Sequence, residues 1–115
     1  MVSPTMIKAV ISIKYGASVR GLRVEALLAL TVAGLIYAEY GKPCVLTEGT
    51  GGKHGKHSHH HKGLAIDLRI RDPGGLWELT QLEIQEIVDK LRIRLGSEYQ
   101  VVSEPDHIHI EFDPE

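Results

Sequence analysis

The residues best suited to chemistry are histidines and acids, and they collect in two stretches of the chain. Five of the seven histidines lie in a Gly/His/Lys-rich stretch at residues 48–62, and Asp67 follows closely. The other two, His107 and His109, lie near the C-terminus. Two imidazoles and a carboxylate form a ligand set that suits zinc and leaves a fourth position for water. We therefore predict that the two stretches meet around one metal ion.

A zinc site that performs hydrolysis also needs a proton acceptor. Zinc lowers the pKa of a coordinated water to about 7, and a nearby carboxylate then acts as general base. Glu104 and Asp106 stand just before the histidine pair and are the two candidates. Strand alternation would put both on one face, but Pro105 interrupts the strand there.

Two predicted strands must position these side chains. Residues 63–70 alternate, so that Leu64, Ile66, Leu68 and Ile70 face one side while Asp67 faces the other. In residues 107–112 the apolar side chains face the core, and the opposite face carries His107, His109 and Glu111. Each predicted ligand therefore lies on the polar face of its strand.

The remaining elements complete an α+β pattern. Residues 22–40 predict a helix that is apolar nearly all round and so central to the core, and Gly41 ends it. Thr80 and Glu83 form a capping box for a second, amphipathic helix ending before Gly96. Residues 44–47 and 99–103 predict strands, while residues 6–15 fit a strand or a short helix. We expect a small, mainly antiparallel sheet packed against two helices.

Length and composition narrow the class of protein. The 115 residues predict a single domain, 1–115, with an N-terminal segment at 1–20 and a core at 21–113. A net charge of -2 offers no case for nucleic acid or an anionic membrane as partner. The apolar run at residues 26–38 is shorter than the roughly 20 residues of a membrane span. The only cysteine, Cys44, excludes an internal disulfide and is expected in the core.

Each feature alone also has an ordinary structural explanation. A histidine-rich loop is often only a solvated surface, and histidines on the polar face of a strand are more often exposed than metal-bound. Asp67 could equally be a plain surface residue. The metal hypothesis rests on the coincidence that every piece falls on the non-core face of its own strand.

These residues also resemble a known family. Residues 58–67 read Ser-His-His-His-Lys-Gly-Leu-Ala-Ile-Asp and match the pattern S-x-H-x-x-G-x-A-x-D of the zinc D-alanyl-D-alanine carboxypeptidase family. That family includes D-Ala-D-Ala dipeptidases and phage L-alanyl-D-glutamate endolysins, and the Hedgehog signalling domain shares its fold. Downstream, Asp106-x-x-His109 and His107-x-His109 resemble the acid-x-x-His and H-x-H elements. The resemblance covers roughly residues 22–112 and implies a Hedgehog/DD-peptidase-like zinc fold.

The resemblance implies a role for each matching residue. The ligands of one Zn²⁺ would be His60, Asp67 and His109. Asp106 lies three residues before His109, where the peptidases place their catalytic acid. Glu104 lies three residues before His107 and resembles the Hedgehog arrangement, except that one residue fewer separates the glutamate from the histidine. Our interpretation favours Glu104 as base, since Asp106 could instead orient a histidine; His107 would then support the site or stabilise the transition state.

The surrounding loop is expected to supply supporting residues. Ser58 would hold His60 in place, and His54 is similar to a Hedgehog-fold histidine near the metal. Bacterial members usually carry an arginine after the Thr-containing strand that grips a substrate carboxylate. Residues 47–53 contain no arginine here, and Lys53 is a candidate substitute for it. We expect the remaining loop histidines, His57, His59 and His61, to face solvent.

The sequence therefore predicts a zinc metallopeptidase that hydrolyses peptide bonds of peptidoglycan stem peptides. Its partner would be the peptidoglycan peptide, without nucleic acid or membrane. The N-terminus lacks a secretory signal pattern, which predicts a protein that is cytoplasmic until release or phage-associated. The alternative is a non-catalytic zinc-binding domain of the same fold, in which the metal has a structural or partner-binding role. The absence of the substrate-binding arginine supports this alternative. A third hypothesis is a histidine-rich protein that buffers several metal ions.

Overall fold

The computed structural model describes residues 8–51 and 58–114 and contains five strands and two helices in this part of the chain. The elements, in chain order, are β1 (Ile11–Ile13), α1 (Val24–Glu39), β2 (Cys44–Glu48), β3 (Ala65–Arg69), α2 (Gln81–Leu95), β4 (Tyr99–Ser103) and β5 (His107–Phe112). The strands form one sheet in the order β1-β2-β3-β5-β4. Only β1 and β2 run parallel, and the other pairs are antiparallel. The predicted α+β class with a mainly antiparallel sheet and two helices is confirmed.

Local signals in the sequence explain how α2 begins and ends. The Thr80 hydroxyl accepts a hydrogen bond from the Glu83 amide at 3.0 Å, and the Glu83 carboxylate accepts one from the Thr80 amide at 2.9 Å. This is the predicted capping box, which satisfies backbone donors that a helix start otherwise leaves unpaired. Gly96 follows the last turn with φ +89°, a conformation that favours glycine.

One face of the sheet carries the core. Side chains that are almost completely buried alternate along the central strands and pack against the helices: Leu46, Ile66, Leu68, Ile108 and Ile110. Helix α1 contributes Ala29, Ala33 and Ile36 to the same cluster. Cys44 is buried there too, as expected, and burial raises the pKa of its thiol to about 12. The sheet therefore has one apolar, covered face and one face left for polar side chains.

Helix α1 departs from the expectation that it is central and buried all round. Val24, Leu28 and Leu35 are 74%, 53% and 53% exposed. The helix lies beside α2 on a single face of the sheet, so neighbours cover only one side of it. The apolar composition of its outer side is therefore not explained by core packing. Neither helix in the described part of the chain is long and apolar enough to cross a membrane.

A strand within the first described residues joins the sheet. Residues 11–13 form an edge strand paired with β2 from Ile11 opposite Cys44 to Ile13 opposite Leu46, which decides between the strand and the helix predicted for this stretch. Further along, the Ser18 carbonyl accepts a hydrogen bond from the Thr50 amide at 2.9 Å. The segment before α1 thus holds the start of the loop that follows β2.

Candidate metal centre

The polar face of the sheet brings together side chains from its central strands. The register places Asp67 of β3 opposite His109 of β5, and Arg69 opposite His107. On the other side of β3, an irregularity in β2 brings Glu48 opposite Asp67. Because alternate residues of a strand share a face, these polar side chains lie side by side on the surface opposite the core.

Asp67 is the centre of this group and is only 6% exposed. Its Oδ1 lies 2.8 Å from Nδ1 of His109 and 3.2 Å from Nε2 of His60. The atoms offered by these three residues all lie within 4.8 Å of one another. The turn before β3, β3 itself and β5 therefore each deliver one side chain to a common point, as the resemblance implies.

A tight turn holds His60. Its backbone amide donates to the Ser58 hydroxyl at 3.1 Å, the supporting contact expected of Ser58. Its Nδ1 lies 2.8 Å from the Gly49 carbonyl oxygen and so carries the proton. Nε2 is then the nitrogen that faces Asp67 and the one that a metal ion would bind. Such a carbonyl contact fixes the tautomer of a ligating histidine.

Gly63 allows this turn to lead into β3. Its φ is +75°, and a Cβ at this position would collide with the carbonyl oxygen of Gly21. The Gly63 amide donates to the His60 carbonyl at 3.0 Å, and its own carbonyl accepts from the Arg23 amide at 2.9 Å. Only glycine combines this backbone conformation with such a close approach.

His109 is held from both sides of its ring. Nδ1 faces Asp67, and Nε2 lies 2.7 Å from Oε1 of Glu111. A histidine that donates one ring N–H to a carboxylate becomes a more basic ligand through its other nitrogen. Glu111 was not among the predicted site residues. Its signal in the sequence was its position two residues after His109, on the same face of the strand.

Asp67 and the two histidines shift one another's pKa values toward the charged forms. Burial alone would raise the pKa of Asp67, but hydrogen bonds from His109 and His60 hold it well below its ordinary value. The hydrogen bond with Asp67 raises the pKa of His109. Burial lowers the pKa of His60, but Asp67 and the Gly49 carbonyl outweigh it and leave the pKa raised. Two imidazoles around an ionised carboxylate have the chemistry of a divalent-cation site, and the donor set fits zinc.

The structure separates the two base candidates. Nδ1 of His107 lies 2.6 Å from Oδ1 of Asp106, and its Nε2 lies 3.6 Å from Oδ2 of Asp67. The hydrogen bond with His107 lowers the pKa of Asp106. Glu104 is exposed in the turn between β4 and β5, where its amide donates to the His107 carbonyl. The structure thus connects Asp106, which is itself 77% exposed, to the centre through His107 and leaves Glu104 in the turn.

A cleft of about 440 Å³ opens beside Asp67. Asp106 and His107 form one part of its wall, whereas Glu104 is not among the described residues that line it. Cationic side chains form another part: Lys14, Arg69 and Arg71. The sequence did not indicate these cations because Lys14 follows β1, Arg69 ends β3 and Arg71 lies just beyond it, whereas the expected cation was in the loop after β2.

The remaining loop residues have different outcomes. Lys53, His54 and His57 lie outside the described residues. His61 is exposed, as expected. His59 faces solvent only in part, because its side chain is 27% exposed and lies 3.6 Å from Glu111 and 3.9 Å from Asp113. The turn that places His60 inward also folds His59 onto the end of β5.

Comparisons with protein-family models, with curated proteins and with solved structures gave no match. The family resemblance therefore rests on the motif residues alone and stays a prediction.

Proposed function

We propose that this chain is a zinc metallopeptidase that hydrolyses peptide bonds of peptidoglycan stem peptides. The observation that carries the proposal is the convergence of His60, Asp67 and His109, from three separate segments, beside a cleft. The substrate class comes from the resemblance of residues 58–67 and 106–109 to the zinc D-alanyl-D-alanine carboxypeptidase family. The fold implied by that resemblance, a Hedgehog/DD-peptidase-like one, is part of the same proposal.

His60, Asp67 and His109 would hold the ion. A zinc ion bound there would polarise the scissile carbonyl and acidify the attacking water. Glu111 and the Gly49 carbonyl keep the two imidazoles oriented, each through the ring nitrogen that faces away from Asp67. With an ion bound in place of the protons shared with Asp67, each histidine would offer its other ring nitrogen as a ligand.

The proton taken from water is assigned to the Asp106–His107 pair. Both residues line the cleft, and the 2.6 Å contact between them couples the carboxylate to the imidazole. A carboxylate whose pKa is lowered is a weak base by itself, whereas a histidine side chain is the commonest general base in enzymes. The pair can therefore accept the proton and return it to the leaving amine.

Stem peptides carry free carboxylates, and the cleft offers cations to receive one. Arg69 lies on the same face of β3 as Asp67, two residues further on. Arg71 donates to the Pro105 carbonyl at 3.3 Å and so also holds the β4–β5 turn. We assign the carboxylate contact to Arg69, in place of the arginine that family members carry after the Thr-containing strand.

The experiment incubates the purified, zinc-loaded chain with soluble peptidoglycan fragments and identifies the products by mass spectrometry. Cleavage that stops on chelation and returns with zinc is expected. Asp106→Asn should lower kcat by about 10²–10⁴-fold, the usual contribution of a general base, with zinc content unchanged. Glu104→Gln is the matched control and should keep full activity.

Two results would contradict the proposal. One tightly held zinc without cleavage of any fragment would favour the non-catalytic zinc-binding domain. Loss of activity in Glu104→Gln but not in Asp106→Asn would move the base to the turn residue and overturn the assignment of the Asp106–His107 pair.

A further inference from the structure

A second group of potential ligands lies next to the first. His59 comes from the turn before β3, Glu111 from β5 and Asp113 from the residues just after it. We propose that these three side chains form a second divalent-cation site, so that the chain binds two ions instead of one. This inference concerns metal binding alone and does not depend on peptidase activity.

The three side chains lie close to one another without hydrogen bonds between His59 and either carboxylate. Nδ1 of His59 lies 3.6 Å from Oε2 of Glu111, and Nε2 lies 3.9 Å from Oδ2 of Asp113. Both distances exceed those of hydrogen bonds between nitrogen and oxygen. Tetrahedral ligands bound at 2.0–2.2 Å stand roughly 3.4 Å apart, which is close to the first of these separations. An ion can bind only one of the two His59 nitrogens, and one ligand atom from each of the three residues lies within 4.8 Å of the other two.

The backbone holds the three residues in place. The His59 carbonyl accepts from the Leu64 amide at 2.9 Å, and the Asp113 amide donates to the Glu98 carbonyl at 2.8 Å. Glu111 is paired within the sheet on both sides of β5. The side chains are only 20–27% exposed. Two partly buried carboxylates beside one imidazole carry excess negative charge, and a divalent ion offsets it.

Glu111 connects the second group to the first. Its Oε1 lies 2.7 Å from Nε2 of His109, and its Oε2 is the oxygen that faces His59. A cation on Oε2 would draw charge away from the hydrogen bond that makes His109 a better ligand. Binding of either ion should therefore lower the affinity of the chain for the other ion. By thermodynamic linkage, the affinity falls by the same factor in both directions. The imidazole ligand favours a transition ion such as zinc over magnesium or calcium.

The test measures zinc stoichiometry by equilibrium dialysis of the full chain. Because other loop histidines can also bind zinc, the background variant carries His54→Gln, His57→Gln and His61→Gln. In this background we expect two ions, one tight and one weaker. Asp113→Asn and His59→Gln should each remove the weaker ion and leave the tight one, while Asp89→Asn on α2 is the matched control and should keep both.

Glu111→Gln gives an independent measurement, because it acts on both sites. It should abolish the weaker ion and reduce affinity for the tight ion by about 10–100-fold, the usual effect of losing a residue that supports a metal ligand. A single ion in the background variant would overturn the proposal. Two ions retained in both Asp113→Asn and His59→Gln would overturn it equally, since the second ion would then bind elsewhere.

Discussion

At the scale of single residues, the site depends on Asp67. This buried carboxylate touches His60 and His109 at hydrogen-bonding distance and has His107 within 3.6 Å. Together with His60 it is one of the two ionisable polar side chains among the described residues that are buried, and it is the only carboxylate. A charge that is taken out of water must be paired or bound to a metal, so the histidines around it have an electrostatic reason to be there.

Removing this charge should abolish tight zinc binding. In Asp67→Asn the two imidazoles remain but the anionic ligand is lost, and we expect affinity to fall by more than the 100-fold typical of losing a supporting residue. Zinc content after dialysis measures the effect, with Asp89→Asn as the exposed control. Unchanged zinc content in Asp67→Asn would mean that the ion binds elsewhere.

Zinc binding should also depend on pH in a definite direction. The ion requires neutral imidazoles, but Asp67 raises the pKa of both His60 and His109 above 6.5 in the metal-free chain. Protons therefore compete with zinc for the two histidines. When the pH is lowered from about 8.5, the zinc affinity should already be falling before pH 6.5 is reached. Asp67, with its lowered pKa, stays ionised throughout this range. Titrations between about pH 5.5 and 8.5 test this, and a flat affinity down to pH 6.5 would contradict it.

Arg69 offers a test of substrate recognition. If it binds the substrate carboxylate, Arg69→Met should raise KM by about 10–100-fold, as expected for a lost hydrogen bond to a charged group, while zinc content stays unchanged. Lys14→Met, on another part of the cleft wall, is the control. Steady-state kinetics on a peptide with a free C-terminus separates KM from kcat. An equal effect on an amidated peptide would exclude the carboxylate contact.

At the scale of elements, the centre depends on the turn between the loop and β3. In the turn that directs His60 inward, Gly63 adopts a positive φ and lies against the backbone of Gly21. The same turn carries His59 to the end of β5. One local conformation therefore places a ligand in each of the two proposed sites.

Substitution of this glycine should disturb both folding and metal binding. Gly63→Ala combines about 1–3 kcal/mol of backbone strain with a collision against the Gly21 carbonyl. Gly75→Ala is a matched control, because its φ of +79° is similar but a Cβ there meets nothing within 4 Å. Chemical denaturation should show a larger loss for Gly63→Ala, and only this variant should bind zinc more weakly. Equal losses would mean that the close approach is unimportant.

At the scale of the whole molecule, the two faces of the sheet have different roles. One face packs against α1 and α2 and forms the hydrophobic core, while the other carries the ligands and the cleft. The ligands come from segments far apart in the chain, so the ion would join the turn at residues 58–63 to the central strands. Binding to the folded state alone adds to its stability by mass action.

Removal of zinc should therefore lower the melting temperature. At a free concentration 100 times its Kd, a ligand raises the free energy of unfolding by about 2.7 kcal/mol. For a domain of this size, this corresponds to an increase of roughly 10 °C in the melting temperature. Thermal unfolding of the zinc-loaded and chelated chain measures it. Asp67→Asn should show no such difference, and a zinc-dependent shift in that variant would place the stabilising ion outside the proposed centre.

The sequence by itself was sufficient for features that depend on neighbours along the chain. The α2 capping box and the alternation of β3 and β5 rest on contacts within a few residues, and these predictions are confirmed. The predicted ligands His60, Asp67 and His109 also come together, because the motif spacing encodes the turn and the strand that position two of them.

Only the tertiary structure decided features that depend on distant segments. It brings Asp106, not Glu104, to the cleft. Regular strand alternation would have placed both residues on the same face, but Pro105 lies in the turn and interrupts that alternation. The tertiary structure leaves one side of α1 uncovered, since helix packing depends on what lies opposite. It also brings His59 to Glu111 and Asp113, 52 and 54 residues later in the chain. Strand pairing across such separations cannot be read from local periodicity, and that pairing creates the second proposed site.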